Sequence, residues 1–173
     1  MAAAVRSAMN QRLPSRLERM IARLSAQKAY LEHAAALIAE VPGPVLEIGL
    51  GKGRTFSHLA KLFPGREIYA FDDGLRAPPD SAPEPARLAL GDFRLTLPAM
   101  RGRIAPAALV HADFGSEDRS LDASQAVWLA PLIDALMALG GVVVSDRVLA
   151  CPRWREIPGP GGTDWPYHLV KVG

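Results

Sequence analysis

The sequence predicts an α/β fold. A doubly wound, mostly parallel sheet carries an antiparallel C-terminal hairpin and an N-terminal helical extension. Three observations predict it. Short β-prone apolar runs alternate with segments of helical periodicity, as crossover connections between parallel strands require. The first such run opens into a cluster of glycines, Gly49, Gly51 and Gly53. Several later runs end in an acid: Asp72, Asp92, Asp113 and Asp146. In open parallel sheets ligands bind beyond the carboxyl ends of the strands, so this shared placement marks one edge of the sheet as functional.

The elements follow in order. Ser15 and Glu18 have the spacing of a capping box, in which each side chain bonds the other's backbone. Leu17, Met20, Ile21, Leu24, Leu31, Ala35 and Ile38 then recur at helical spacing. They predict one helix, or two with a break near Ala26, ending at about Glu40 before Pro42-Gly43-Pro44. Val45–Ile48 reads as a buried strand, Thr55–Phe63 as a helix, and Glu67–Phe71 as a second strand.

Pro78, Pro79, Pro83 and Pro85 exclude a regular helix from the crossover that follows. Arg87–Leu90 and Ala107–His111 are the third and fourth strands. A helix capped at Asp122 would present Trp128, Leu129, Leu132, Ile133, Leu136 and Leu139 inward and stop at Gly140-Gly141. Val142–Val144 is the fifth strand. Trp154–Ile157 and Tyr167–Val170 suit a hairpin. The chain thus divides into a helical extension (1–41), a ligand-binding core (44–146) and the hairpin (147–173), all within a single domain.

Bulk properties narrow the function. The 173 residues fit one domain, and 49% hydrophobic with 22% charged residues is ordinary for a globular protein. A net charge of +2 without a dense Lys/Arg stripe gives no sign of nucleic-acid binding. The lone Cys151 excludes an internal disulfide and a Cys-based zinc cluster. No apolar run reaches the ~18 residues of a membrane span. Met1–Arg16 weakly resembles a transit peptide but lacks the apolar block of a secretory signal, so a frayed terminus on a cytoplasmic protein is expected.

The glycine segment carries the chemistry. Glu47-Ile48-Gly49-Leu50-Gly51-Lys52-Gly53-Arg54-Thr55 joins a strand to a helix. A phosphate-binding P-loop is excluded, because Gly53 stands where Ser or Thr must follow Lys52. A dinucleotide fingerprint fits poorly, because Arg54 takes the third glycine position. The pattern E/D-x-G-x-G-x-G is met at Glu47, Gly49, Gly51 and Gly53.

With this loop, the order of elements and the acids at Asp72 and Asp92, the chain from Val45 to Asp146 resembles the class I (Rossmann-like) S-adenosylmethionine-dependent methyltransferases. It is most similar to small bacterial members with a helical N-terminal extension. The Pro-rich crossover departs from the family, which commonly places a helix there.

The resemblance implies S-adenosyl-L-methionine as cofactor and methyl transfer to a small-molecule acceptor. Asp72 would hold the ribose hydroxyls, with Asp73 as its adjacent competitor. Asp92 would accept from the adenine amino group, with Phe93 against the ring. Glu47 would help hold the ammonium group, and Lys52 and Arg54 would face the carboxylate or solvent. Asp72 lies roughly 20 residues after Gly51, the offset at which an acid meets ribose hydroxyls in related sheets.

Asp113 is the first choice for the acceptor side, ahead of His111, Asp146, Tyr167 and His168. No metal is expected, since Arg147 follows Asp146 where metal-dependent relatives carry Asn. Trp154, Trp165 and Tyr167 suit packing of the hairpin, with closure over a substrate or a subunit contact as alternatives. The N-terminal helix suits covering the site, covering the sheet edge, or pairing with a second copy in a homo-oligomer. The rival readings of function are a non-catalytic cofactor-binding or assembly protein and an NAD-dependent oxidoreductase.

Overall fold

The computed structural model describes residues 13–114 and 119–173. The expected frayed terminus lies almost wholly outside the described residues. α1 (Arg16–Leu37) is a single unbroken helix with no interruption at Ala26. Its capping box is complete: the Glu18 N–H donates to Ser15 Oγ at 3.1 Å, and the Ser15 N–H donates to Glu18 Oε2 at 2.6 Å. Only its second half enters the core, through Ala26, Leu31, Ala34 and Ile38. Leu17, Met20, Ile21 and Leu24 keep the helical spacing but remain exposed.

The sheet has seven strands. They are β1 (Val45–Ile48), β2 (Ile68–Asp72), β3 (Leu88–Leu90), β4 (Ala107–Ala112), β5 (Met137–Ser145), β6 (Trp154–Glu156) and β7 (His168–Val172). Their order is β3-β2-β1-β4-β5-β7-β6. β1 to β5 pair in parallel, while β7 runs antiparallel to both β5 and β6. The chain reverses direction in the sheet at β1, between β2 and β4. This is the switch point at which such sheets open a crevice.

Helices cover both faces. α1 and α2 (Arg54–Leu62) pack over Val45, Ala70, Leu109, Val142 and Val144. α3 (Phe93–Met100) and α4 (Arg119–Asp134) pack over Leu46, Ile48, Phe71, Val110 and Val143. Side chains alternate along a strand. Glu47 and His111 therefore share the α1–α2 face with Val45 and Leu109, and this places two ionisable groups inside that layer.

Five points depart from the sequence reading. α4 ends at Asp134, and β5 already begins at Met137. Leu139 is 75% exposed rather than facing inward. Gly140-Gly141 are part of an irregularity in β5 rather than a helix stop: the register jumps from Ala107↔Met137 to Leu109↔Val142. Gly140 has φ +78° and permits the bulge. α4 also starts at Arg119, so Asp122 lies inside its first turn instead of capping it. Finally, α3 has no counterpart in the sequence reading. It is short, carries Pro98, and is capped by Asp92, whose carboxylate accepts from the Arg94 N–H at 2.8 Å. The Pro-rich crossover forms only two short 3₁₀ turns, Pro79–Ser81 and Pro85–Arg87, as its prolines require.

Candidate functional site

A cleft of about 600 Å³ opens at the carboxyl ends of β1, β2, β3 and β4. Its floor is the backbone of Gly49 to Lys52. Asp72 and Asp73 line one end, followed by Asp92 and Phe93, then Asp113 and Phe114. Met20, Arg23, Leu24 and Gln27 of α1 form a roof, and Gln125 and Trp128 of α4 close a side.

The glycines of the loop serve different ends. A Cβ on Gly49 would stand 2.2 Å from the Asp113 carbonyl oxygen, and one on Gly53 would stand 2.0 Å from the Ser81 carbonyl oxygen. Both positions need glycine for close packing, and both have positive φ, +92° at Gly49 and +75° at Gly53. A Cβ on Gly51 would meet nothing within 4 Å, so its backbone is open to the cleft.

Asp72 is buried and fixed from three sides. Gly51 N–H donates to its Oδ2 at 2.8 Å, Gly74 N–H to its Oδ1 at 3.3 Å, and Arg76 Nη1 to Oδ1 at 2.9 Å. The side chain thus ties the second strand to the glycine loop and keeps its carboxylate at the cleft wall. Asp73 is exposed and pairs with Arg76, which holds its carboxyl below the usual range.

Glu47, Gly53, His111 and Asp146 do not line the cleft. Glu47 is fully buried. It accepts a hydrogen bond from the Thr55 hydroxyl, and its Oε2 lies 2.7 Å from His111 Nδ1. His111 Nε2 lies 2.6 Å from the Tyr167 hydroxyl. Burial disfavours the imidazolium, but the Glu47 carboxylate, aided by Asp113 and Asp146, outweighs it and raises the His111 pKa. Burial pushes the Tyr167 phenol well above its ordinary range.

Asp113 faces the cleft beneath α1. Arg23 Nη2 donates to its Oδ1 at 2.7 Å and to its Oδ2 at 2.9 Å, and Gln27 Nε2 donates to Oδ2. Burial first, and then the Asp146 charge, push its carboxyl above the usual range, against the pulls of His111 and Arg23. Asp146 is turned away to Arg147, which grips both its oxygens at 2.9 and 3.0 Å and also reaches Asp122 at 3.2 Å.

Arg23 and Gln27 are absent from the sequence-derived site. A signal for Gln27 existed: it sits between Leu24 and Leu31 on the apolar stripe of α1, where a polar side chain needs a partner. Arg23 carried no such signal. Aromatic groups flank the far side. Phe93 and Phe114 meet edge to face at 5.8 Å, and Arg94 lies over Trp128 at 4.1 Å. Trp154 packs away from the cleft, its indole N–H donating to Asp134 at 2.5 Å, and His168 sits in the sheet opposite Ser145. Among the described residues no group of three or more His, Cys, Asp or Glu is placed to hold a metal, and no helix is long and apolar enough to cross a membrane.

A glycine loop, a strand-end carboxylate bonded to it, and a roofed cleft at the switch point define a nucleoside-binding Rossmann-like domain. The family model for S-adenosyl-L-methionine methyltransferases matches residues 14–168. The chain belongs to that family, its cofactor is S-adenosylmethionine, and it is a methyltransferase.

An S-adenosyl-L-methionine methyl transferase from Silicibacter pomeroyi DSS-3 is 42% identical. The match covers 93% of this chain and 100% of that one, with a TM-score of 0.87. The fold is shared at lower identity by cofactor-bound Rv0187 from MTB (17%, 99% of this chain and 86% of that chain, TM-score 0.55). It is shared too by human methyltransferase-like protein 13 in complex with SAH (14%, 87% and 80%, TM-score 0.54). No functionally curated protein matches the chain.

Proposed function

We propose that this methyltransferase acts on a small polar molecule, and that Asp113 receives the hydrogen of the atom that becomes methylated. One observation carries this reading: a cleft of about 600 Å³ is roofed by α1 and holds a largely buried carboxylate under that roof. Cavities of roughly 300–1,000 Å³ suit small ligands, and this one must house the cofactor as well. The residues present fit the cofactor. Gly51 offers open backbone, Asp72 offers a fixed carboxylate for a diol, and Asp92 with Phe93 offers an acceptor beside an aromatic face.

When bound, the cofactor supplies an electrophilic methyl group on a sulfonium. The chain aligns and deprotonates. Asp72 and the glycine loop set the position of the ligand along the strand ends. The α1 roof and Trp128 limit access by water. Asp113, with its pKa raised by burial, is better matched to proton removal near neutrality than an exposed carboxylate. We place the protein in the cytoplasm as part of the same reading.

The test is a thermal-shift comparison of S-adenosylmethionine, S-adenosylhomocysteine and NAD, followed by an acceptor screen read by mass spectrometry. Ligand at ~100 times its dissociation constant adds about 2.7 kcal/mol, or several degrees. Methylation of a small amine, thiol or hydroxyl compound supports the reading. Turnover confined to RNA or protein refutes the small-molecule part.

A further inference from the structure

Arg23 commits a single nitrogen to Asp113. Its Nη2 reaches both carboxylate oxygens, at 2.7 and 2.9 Å. Nη1 and Nε have no partner among the described residues, and neither is a buried orphan. Both residues line the cleft, where the Arg23 side chain is 39% exposed and that of Asp113 only 8%. One ion pair thus covers the acid and leaves N–H donors of the base open.

We infer that Arg23 binds an anionic group of the acceptor, and that the acceptor is a small carboxylic acid whose carboxylate lies within a few bonds of the atom that becomes methylated. The inference rests on the role proposed above for Asp113 and names the acceptor class for that same site.

The other cations of the cleft have other work. Arg76 pairs with Asp72 and Asp73, and Arg94 lies 3.6 Å from Asp92. Lys52 and Arg54 have no ion-pair partner among the described residues, but they belong to the glycine loop and the helix turn after it, and suit the cofactor's own carboxylate. Arg23 stands apart from that loop, on α1 over the end of β4. The sulfonium of a bound cofactor adds positive charge to the cleft and further favours an anionic acceptor.

Two properties set the class. The guanidinium is always charged and presents its N–H donors in one plane, which matches a carboxylate. Arg23 and Asp113 are in contact, so a molecule that meets both carries its anion close to its reacting amine, thiol or hydroxyl. Amino, hydroxy and mercapto acids have this layout. A phosphate dianion would call for more cations than the one left on this side.

The experiment supplies the full chain and S-adenosylmethionine with matched pairs: α- and β-amino, hydroxy and mercapto acids, each beside its primary amide. Products are read by mass spectrometry. An acid is expected to be methylated with kcat/KM at least tenfold above its amide, the equivalent of a hydrogen bond to a charged group. In Arg23→Gln the acid-to-amide ratio falls to within about threefold of one, mainly through KM for the acid. Any change in Asp113 itself acts on acid and amide alike and leaves the ratio untouched. The affinity for S-adenosylhomocysteine, measured by calorimetry, stays within about threefold of wild type.

Turnover of the amides as fast as the acids overturns the proposal, as does an unchanged ratio in Arg23→Gln or methylation of neutral or cationic small molecules alone. A tenfold loss of S-adenosylhomocysteine affinity in Arg23→Gln also overturns it, because Arg23 then serves the cofactor. If Arg23→Gln does not fold, Arg23→Lys is read in the same way: it keeps the charge without the planar donors and lowers the ratio in part, and an unchanged ratio overturns the proposal. Turnover confined to RNA or protein, or no uptake of S-adenosylhomocysteine by the wild type, refutes the functional reading itself and the proposal with it.

Discussion

Arg23 and Asp113 stand 90 positions apart in the chain and meet at 2.7 and 2.9 Å, one nitrogen of the guanidinium reaching both carboxylate oxygens. The contact fastens the N-terminal helix over the fourth strand's end. It also makes the extension a wall of the cleft. Asp113 is largely buried, whereas the Arg23 side chain is 39% exposed.

Arg23→Ala is expected to cost about 1–2 kcal/mol. This is less than the 3–5 kcal/mol of a fully buried broken pair, since solvent screens the exposed arginine. Asp113 should also hold its proton to higher pH, because Arg23 is one of the groups that lower its pKa. Thermal unfolding and the carboxyl titration check the two effects. An unchanged Asp113 titration would deny the arginine an electrostatic role.

Gly53 and Gly51 should separate stability from binding. Gly53→Ala places a methyl 2.0 Å from the Ser81 carbonyl oxygen at a φ of +75°. A loss of at least ~2 kcal/mol is expected in denaturant titration. Gly51→Ala meets no atom within 4 Å, so its methyl projects into open space at the cleft. Strain at its φ of +51° costs ~1 kcal/mol, while S-adenosylhomocysteine affinity should fall tenfold or more in calorimetry. Equal effects of the two substitutions on stability and binding would contradict this division.

His111 should make stability pH-dependent with a definite sign. Its folded pKa lies above the ordinary 6.5, because Glu47 outweighs burial. The folded state therefore binds the proton more tightly. The contribution is complete below about pH 6.5 and is lost as pH rises through the folded pKa. Tyr167, raised well above 10, repeats the pattern on the alkaline side, where stability should fall above about pH 10. Chemical denaturation from pH 5 to 11 should show both declines. His111→Gln should flatten the first and Tyr167→Phe the second.

Local chemistry was legible in the sequence, and convergence was not. The Ser15–Glu18 capping box, the Gly49–Gly53 turn and Asp72 at its strand end each depend on a few neighbouring residues or a fixed offset. All are found where the pattern places them. Gly140-Gly141 is different: a left-handed glycine ends a helix or bulges a strand with equal ease. Only the pairing of Ala107 with Met137 decides between them. α3 escaped notice because eight residues containing Pro98 carry little periodicity. The contacts of Gln27 with Asp113 and of His111 with Tyr167 join residues 86 and 56 positions apart, and no local pattern brings these together. Glu47 illustrates the limit within the motif itself. Its position was readable, but its burial against Thr55 and His111, away from the cleft surface, was not.

Asp72, locked to the Gly51 N–H, is expected to anchor S-adenosylmethionine in the cleft under α1. The direct measurement is calorimetric titration of the purified protein with S-adenosylhomocysteine, for wild type and Asp72→Ala. One site per chain is expected, weakened roughly ten- to a hundredfold in the variant, the equivalent of losing a hydrogen-bonded charge worth about 1.5–3 kcal/mol. Wild-type protein that takes up no ligand, or an Asp72→Ala protein that binds with undiminished affinity, would contradict the claim.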